Sequence, residues 1–179
     1  MALLGEAIVE EWLNRSGYFT IRGVKLGVHE MDILAVRLEK GRPTDLRHIE
    51  CQISFKSVSW ITPATAEMQK AGWKAYSTKP RPNEVISKCV SGWIDKKFLM
   101  PEKHNIRQRL CPGEWSKELV LGKAKYQNEI DELQKQGIRI IKFEDVLRSL
   151  MSKGEVISRA VGGDIFELMN WLSHINMND

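Results

Sequence analysis

The sequence predicts a single α/β domain, residues 1–179, whose central sheet is mixed and flanked by helices. An apolar pattern of helical period opens the chain, three segments with strand-like alternation follow, and the last third alternates between strand and helix patterns. Short connections favour an antiparallel meander for the first three strands. Strands separated by a helix favour a crossover connection in the last third. With 179 residues, of which 42% are hydrophobic, the chain is long enough to bury a core.

The first part of the chain is predicted to form one helix followed by three strands. In ALLGEAIVEEWLNRSG, Leu4, Ile8 and Trp12 recur at helical spacing, and Gly17 follows as a stop. The period then changes to the alternation of strands, which is interrupted at Gly27 and at the turn-rich EKGRPTD. The strands are predicted over residues 18–27, 29–41 and 45–58.

The rest of the chain is predicted to be mainly helical, with two more strands. Helices are expected over residues 66–76 and 83–98, and the buried stripe of the first is expected to be Met68, Ala71 and Ala75. The remaining predicted elements are a strand at 117–124, a helix at 126–137, a strand at 138–143, and helices at 144–154 and 164–175.

Composition excludes several classes of protein. No apolar run approaches the roughly 20 residues that cross a bilayer, so no membrane association is expected. Acidic residues lie where a signal peptide needs an apolar core, which predicts a cytoplasmic protein. The three cysteines are widely spaced, and the histidines lack metal-binding spacing, so neither a disulfide framework nor a zinc site is indicated.

The net charge of +4 is concentrated in one segment. Between Lys88 and Lys117 there are seven basic residues and three acidic ones, and residues 80–115 are predicted to form a basic insertion or flanking subregion of the domain. One interpretation is contact with nucleic acid, through phosphate-binding cations with tryptophans interleaved. The other is a solvated helix face whose tryptophans belong to the core. The candidate contacts in this segment are Lys96, Lys97, Lys103, Arg107 and Arg109.

Two carboxylates lie within strands that are otherwise apolar or regularly alternating. Asp32 is in EMDILAV and Glu50 is in HIECQISF. If the strands pair so that these carboxylates come close, the like charges repel unless a cation lies between them. Mg²⁺ fits, because it prefers carboxylate and water oxygens. The alternative is that each acid forms an ordinary salt bridge, and the nearby candidates are Arg22, Lys25 and Arg47.

These residues resemble the signature of the PD-(D/E)XK nuclease superfamily, in which an acid on one strand precedes Glu-x-Lys on the next. The matching residues are Glu6 in GEAIVEEWL, Asp32 in HEMDILAV, and Glu50 with Gln52 in IECQIS. The resemblance covers residues 5–60 most strongly. It implies the restriction endonuclease-like αβββαβ core.

The resemblance also implies a metal-dependent endonuclease that hydrolyses DNA, in repair, recombination or defence. Asp32, Glu50 and the backbone carbonyl of Cys51 would bind Mg²⁺ or Mn²⁺, Gln52 would position the attacking water, and Glu6 would orient a ligand. The implied partner is DNA, and cutting both strands would call for a homodimer.

One departure from the family pattern is that Gln52 replaces the lysine of the motif. An amide is neither a cation nor a useful base, so the lysine's role must be filled otherwise. Lys56 follows on the same face but about 13 Å along a regular strand, and we expect it to contact nucleic acid. Two alternatives remain: a nuclease-fold module that binds nucleic acid without cutting it, and an α/β interaction protein in which the acids coincide by chance.

Overall fold

A computed structural model describes residues 2–54 and 56–151 and confirms an α/β fold with a mixed sheet flanked by helices. The helices are α1 (Ala2–Arg15), α2 (Ala66–Lys70), α3 (Asn83–Ile94), α4 (Pro101–Leu110), α5 (Gln127–Lys135) and α6 (Phe143–Met151). The strands are β1 (Tyr18–Leu26), β2 (His29–Glu39), β3 (Arg42–Gln52), β4 (Ser116–Leu121) and β5 (Arg139–Lys142). A π-helical turn, Asp95–Leu99, continues α3 directly. None of the helices in the described ranges is long and apolar enough to cross a membrane.

The sheet has the order β1-β2-β3-β4-β5. Strands β1, β2 and β3 form the predicted antiparallel meander, whereas β4 and β5 run parallel to β3. The ladder between β2 and β3 ends at the pair Ile33 and Ile49. Beyond that pair, β2 stays bonded to β1 and β3 stays bonded to β4, so β2 and β3 separate from each other. Asp32 is the first residue of β2 past the separation.

Helices cover both faces of the sheet. On one face, α1 and α6 pack against residues such as Ile33, Ile49 and Val120. On the other face, α3, α5 and the π-helical turn pack around Leu119 and Phe98. The segment 80–115 therefore contributes directly to the hydrophobic core, through α3 and the π-helical turn.

Two predicted elements end well before their expected last residues. The predicted strand 45–58 ends at Gln52, and Val58 makes only an isolated bridge to Ala124. The predicted helix 66–76 ends at Lys70, because Gly72 takes a φ of +91° and donates its N–H to the Gln69 carbonyl.

The buried stripe predicted at Met68, Ala71 and Ala75 is wrong, since none of these residues is buried. Helix α4 was not predicted at all. Its buried residues are Lys103 and Arg107, so the apolar periodicity that reveals a helix in a sequence is missing. The helix predicted at 164–175 lies outside the described residues.

Candidate active site

Asp32 occupies the point at which β2 and β3 separate. Its Oδ2 accepts a hydrogen bond of 2.8 Å from the backbone N–H of Cys51, so a side chain replaces the ladder bond that is lost there. In a β-ladder the N–H and the C=O of one residue point to the same side. The carbonyl of Cys51 therefore faces β2 and Asp32 as well.

Glu50 is 1% exposed and its carboxylate contacts three basic side chains. Lys97 donates to Oε2, while Oε1 lies 3.2 Å from His48 Nε2 and 3.8 Å from Lys103 Nζ. Of the arginines considered as partners from the sequence, Arg47 forms a buried ion pair with Glu118 and Arg22 pairs with Glu10. Glu50 thus draws its partners from β3, the π-helical turn and α4.

Lys103 joins two segments of backbone next to the Glu50 carboxylate. It is 1% exposed, and its ammonium donates to the carbonyl of Glu30, at 2.7 Å, and to the carbonyl of Lys97, at 2.9 Å. These bonds tie the start of β2 to the π-helical turn. They therefore fix the backbone that carries Lys97 relative to the strand that carries Asp32.

His48 connects Glu50 to Arg107. Arg107 Nη1 lies 2.8 Å from His48 Nδ1. A guanidinium can only donate, so Nδ1 accepts and the ring proton sits on Nε2, from which it is donated to Glu50. Burial, followed by the charge of Arg107, lowers the pKa of His48 well below its usual value, which keeps the ring neutral. The ring therefore orients Glu50 without adding charge.

Burial raises the pKa of each acidic group of the site, and neighbouring carboxylates add to the rise at Asp32 and Glu6. Burial, followed by the charge of Glu50, raises the pKa of Asp32 to about 6. Burial also raises the pKa of Glu50, and Lys97 opposes that rise. Burial and the charges of Asp32 and Glu30 raise the pKa of Glu6, which is contributed by α1. The site thus holds more negative charge than its surroundings stabilise.

Lys97 is the cation that faces this cluster. Although burial alone would lower the pKa of Lys97, the charges of Glu50 and Asp32 raise it above its usual value. The side chain remains 31% exposed. Lys97 is thus protonated at neutral pH and partly accessible to solvent.

The structure brings together the core of the predicted site, namely Glu6, Asp32, Glu50 and the backbone of Cys51. Gln52 is the last residue of β3, on the face of Glu50. Of the residues predicted to contact nucleic acid, Lys56, Lys96 and Arg109 are exposed.

Two of the predicted nucleic-acid contacts need correction. Lys103 and Arg107 are buried, because they serve Glu50 and His48 instead of facing solvent. Sequence reasoning also missed the role of His48, although strand alternation places it on the same face as Glu50. No local pattern could have linked Lys97 to Glu50, from which it is separated by 47 positions.

Asp32 and Glu50 are the carboxylates of this site that could hold a divalent cation. The charge of Glu50 helps to raise the pKa of Asp32, so ionising both carboxylates is costly unless positive charge lies nearby. Across residues 2–54 and 56–151, no group of three or more His, Cys, Asp or Glu side chains could hold a metal ion. Mg²⁺, however, is commonly held by one or two carboxylates, with water and phosphate oxygens as its other ligands.

Comparison with known proteins adds no relative. No family model, no curated protein and no solved structure matches this chain. The site is therefore interpreted from its own geometry and chemistry.

Proposed function

We propose that this protein is a divalent-metal-dependent endonuclease that hydrolyses DNA phosphodiester bonds at the site formed by Asp32 and Glu50. The observation that carries the proposal is the convergence of these carboxylates, where two neighbouring strands separate, on a lysine from a distant segment. The order of one helix, three strands, helices and a strand agrees with the resemblance to PD-(D/E)XK nucleases.

Each residue of the site has a chemical task in this proposal. Asp32, Glu50 and the carbonyl of Cys51 would hold the cation. When bound, Mg²⁺ or Mn²⁺ supplies a water of lowered pKa and positive charge beside the scissile phosphate. Gln52 hydrogen-bonds and orients the attacking water, since an amide can both donate and accept. Glu6 would reach the cation through water or orient one of its ligands.

Lys97 would take over the role of the lysine that Gln52 replaces. Its ammonium already contacts Glu50, and the neighbouring carboxylates keep it protonated. A preorganised cation beside the reacting phosphate stabilises the charge that develops in the transition state. The exposed residues Lys56, Lys96 and Arg109 would contact the DNA backbone away from the reacting bond.

Cleavage of end-labelled linear, flapped and four-way-junction DNA tests the proposal and ranks the substrates. Wild-type protein is expected to cut at least one of these DNAs with Mg²⁺ or Mn²⁺ and not with EDTA. Asp32→Ala is expected to abolish cutting. Metal-independent cutting, or cutting that Asp32→Ala leaves intact, contradicts the proposal. The proposal includes a cytoplasmic location. It also includes a homodimer for double-strand cleavage, and sedimentation of the protein with DNA would test whether that dimer forms.

A second function, a nuclease-fold module that binds nucleic acid without cutting it, is favoured by one observation. Both oxygens of Glu50 already have protein partners, so the carboxylate is stabilised without any metal. Retention of DNA by wild-type protein, with no cutting under either metal, would favour this function over the nuclease.

A further inference from the structure

A long segment between β3 and α3 exposes two aromatic side chains outside the carboxylate site. Trp73 is 40% exposed and Tyr76 is 62% exposed. They lie three positions apart in the sequence, with Lys74 between them. Two large aromatic side chains that are exposed this close together in the sequence are candidates for an interaction surface.

The backbone that carries these side chains is held firmly. The N–H of Trp73 donates to the Met68 carbonyl at 3.0 Å, and the carbonyl of Ala75 accepts from the Ala64 N–H at 2.8 Å. The carbonyls of Thr78 and Lys79 accept from buried or packed aromatic side chains, Tyr126 Oη at 2.6 Å and Trp60 Nε1 at 3.1 Å. The aromatic side chains are thus presented on an anchored scaffold.

Arg81 connects this segment to the buried part of the protein. Its guanidinium donates to the carbonyls of Thr62 and Ala75, at 2.9 Å and 3.2 Å, and lies over the ring of Trp60. Glu129 of α5, which is buried, accepts from the N–H of Thr62 at 2.8 Å. A rigid platform loses little conformational entropy when a ligand binds to it.

The charge of this segment is complementary to a polyanion. Residues 66–80 contain three lysines and one acid, Glu67. The lysines are all exposed, and in the part of the chain that the structure describes the ion pairs do not involve them. These lysines are Lys70, Lys74 and Lys79.

We infer that this aromatic and basic surface, formed by Trp73, Tyr76 and the three lysines, binds unpaired DNA. Bases of a single strand stack on aromatic side chains, and neighbouring cations contact the phosphates. A paired duplex hides its base faces and cannot stack in this way. The inference deepens the proposed function, on which it rests for the choice of DNA, because it assigns the nuclease a substrate with a single-stranded part.

Fluorescence anisotropy of a labelled oligo(dT), in EDTA so that nothing is cut, tests the inference. Trp73→Ala and Tyr76→Ala are each expected to weaken binding about fivefold or more, the lower limit for loss of one stacked base. Trp73→Phe is expected to restore much of the loss because it restores a ring. Phe19→Ala, which removes an aromatic group that is 69% exposed on β1, is the matched control and is expected to leave binding unchanged.

A salt titration separates the lysine contribution. Lys74→Gln is expected to lower the slope of log affinity against log salt by about 0.7, the value for one single-strand phosphate contact. Lys40→Gln, in the turn between β2 and β3, is the control. Equal binding by wild type and the Trp73 and Tyr76 variants, or no binding of oligo(dT) at all, overturns the inference.

The binding result and the cleavage result are independent. Oligo(dT) binding that depends on Trp73, without any metal-dependent cutting, supports this surface and contradicts the nuclease. Cutting that depends on Asp32, with oligo(dT) binding that ignores Trp73 and Tyr76, supports the nuclease and contradicts this surface.

Discussion

Glu50 stays buried because several side chains share the task of stabilising its charge. Lys97 and Lys103 supply positive charge, and His48 supplies a neutral hydrogen bond. Asp32, by contrast, has one backbone hydrogen bond from Cys51, and its pKa is raised to about 6. The ionised form of Asp32 is therefore less well stabilised by its surroundings than that of Glu50.

The two adjacent lysines of the π-helical turn give a matched test of the site. Lys97 contacts Glu50, whereas Lys96 is exposed. Lys97→Met is expected to lower the cleavage rate about 100-fold or more, because a preorganised charge is lost beside the phosphate. Lys96→Met is expected to change the rate much less and to act mainly on DNA affinity. Single-turnover rates at saturating DNA distinguish these effects, and equal losses in the two variants would contradict the role given to Lys97.

The raised pKa of Asp32 predicts a pH-dependent stability. Between about pH 4 and pH 6 the folded protein holds a proton on Asp32 that the unfolded chain has released, so stability is lost as pH rises through this window. The rise from 3.8 to about 6 corresponds to about 3 kcal/mol at neutral pH without metal. Asp32→Asn is thus expected to be more stable than wild type by up to that amount at pH 7, and similar to it below pH 4.

Urea unfolding of both proteins in EDTA measures this difference. Comparing the two proteins removes the contributions of titrating groups, such as His48, whose pKa does not depend on Asp32. A difference that does not change with pH, or a variant less stable than wild type at neutral pH, would show that Asp32 is not destabilised by its surroundings.

At the scale of elements, the end of β4 is packed tightly against the chain that leaves β3. Gly122 donates its N–H to the carbonyl of Gln52 at 3.1 Å. A Cβ at Gly122 would lie 2.8 Å from the Ser54 carbonyl oxygen and 3.1 Å from its nitrogen. Both are backbone atoms, which cannot rotate away. The glycine thus sets the path of the chain directly after Glu50 and Gln52.

Gly122→Ala is therefore expected to destabilise the protein by about 1–3 kcal/mol, the usual cost of forcing a group into a packed region. It is also expected to slow cleavage, because Gln52 must shift. Gly92→Ala is the matched control: it lies in α3, where the added Cβ would meet only a methyl group of Thr65 at 3.9 Å. Urea unfolding of both variants checks the expectation, and an undisturbed Gly122→Ala protein would contradict the packing.

The elements that the sequence predicted are those whose own apolar pattern is visible. Helix α1, the three meander strands, α5 and α6 are all of this kind. Helix α4 was not predicted because its buried face carries Lys103 and Arg107. Its position depends on polar contacts with distant strands. The carboxylates of the site were predicted because a strand motif contains them, whereas Lys97 reaches Glu50 only through the tertiary fold.

At the scale of the whole molecule, the basic segment divides between two tasks. Its buried part, Lys103 and Arg107, supports the carboxylate of Glu50 from behind. Its exposed residues include Lys96 and Arg109, which the proposed function assigns to contact with DNA. If the protein binds DNA as proposed, fewer cations of this segment can contact it than the net charge of +4 suggests, and the lysines of residues 66–80 are proposed as additional contacts.

Calorimetric titration of Mn²⁺ into the wild-type protein near neutral pH, beside Asp32→Asn, tests the central claim most directly. If Asp32 and Glu50 form a divalent-metal site, wild type binds an ion and the variant binds it at least about tenfold more weakly, since one of its charged ligands is gone. Equal binding by the two proteins, or no binding by wild type, would contradict the claim that these carboxylates form the metal site of a nuclease.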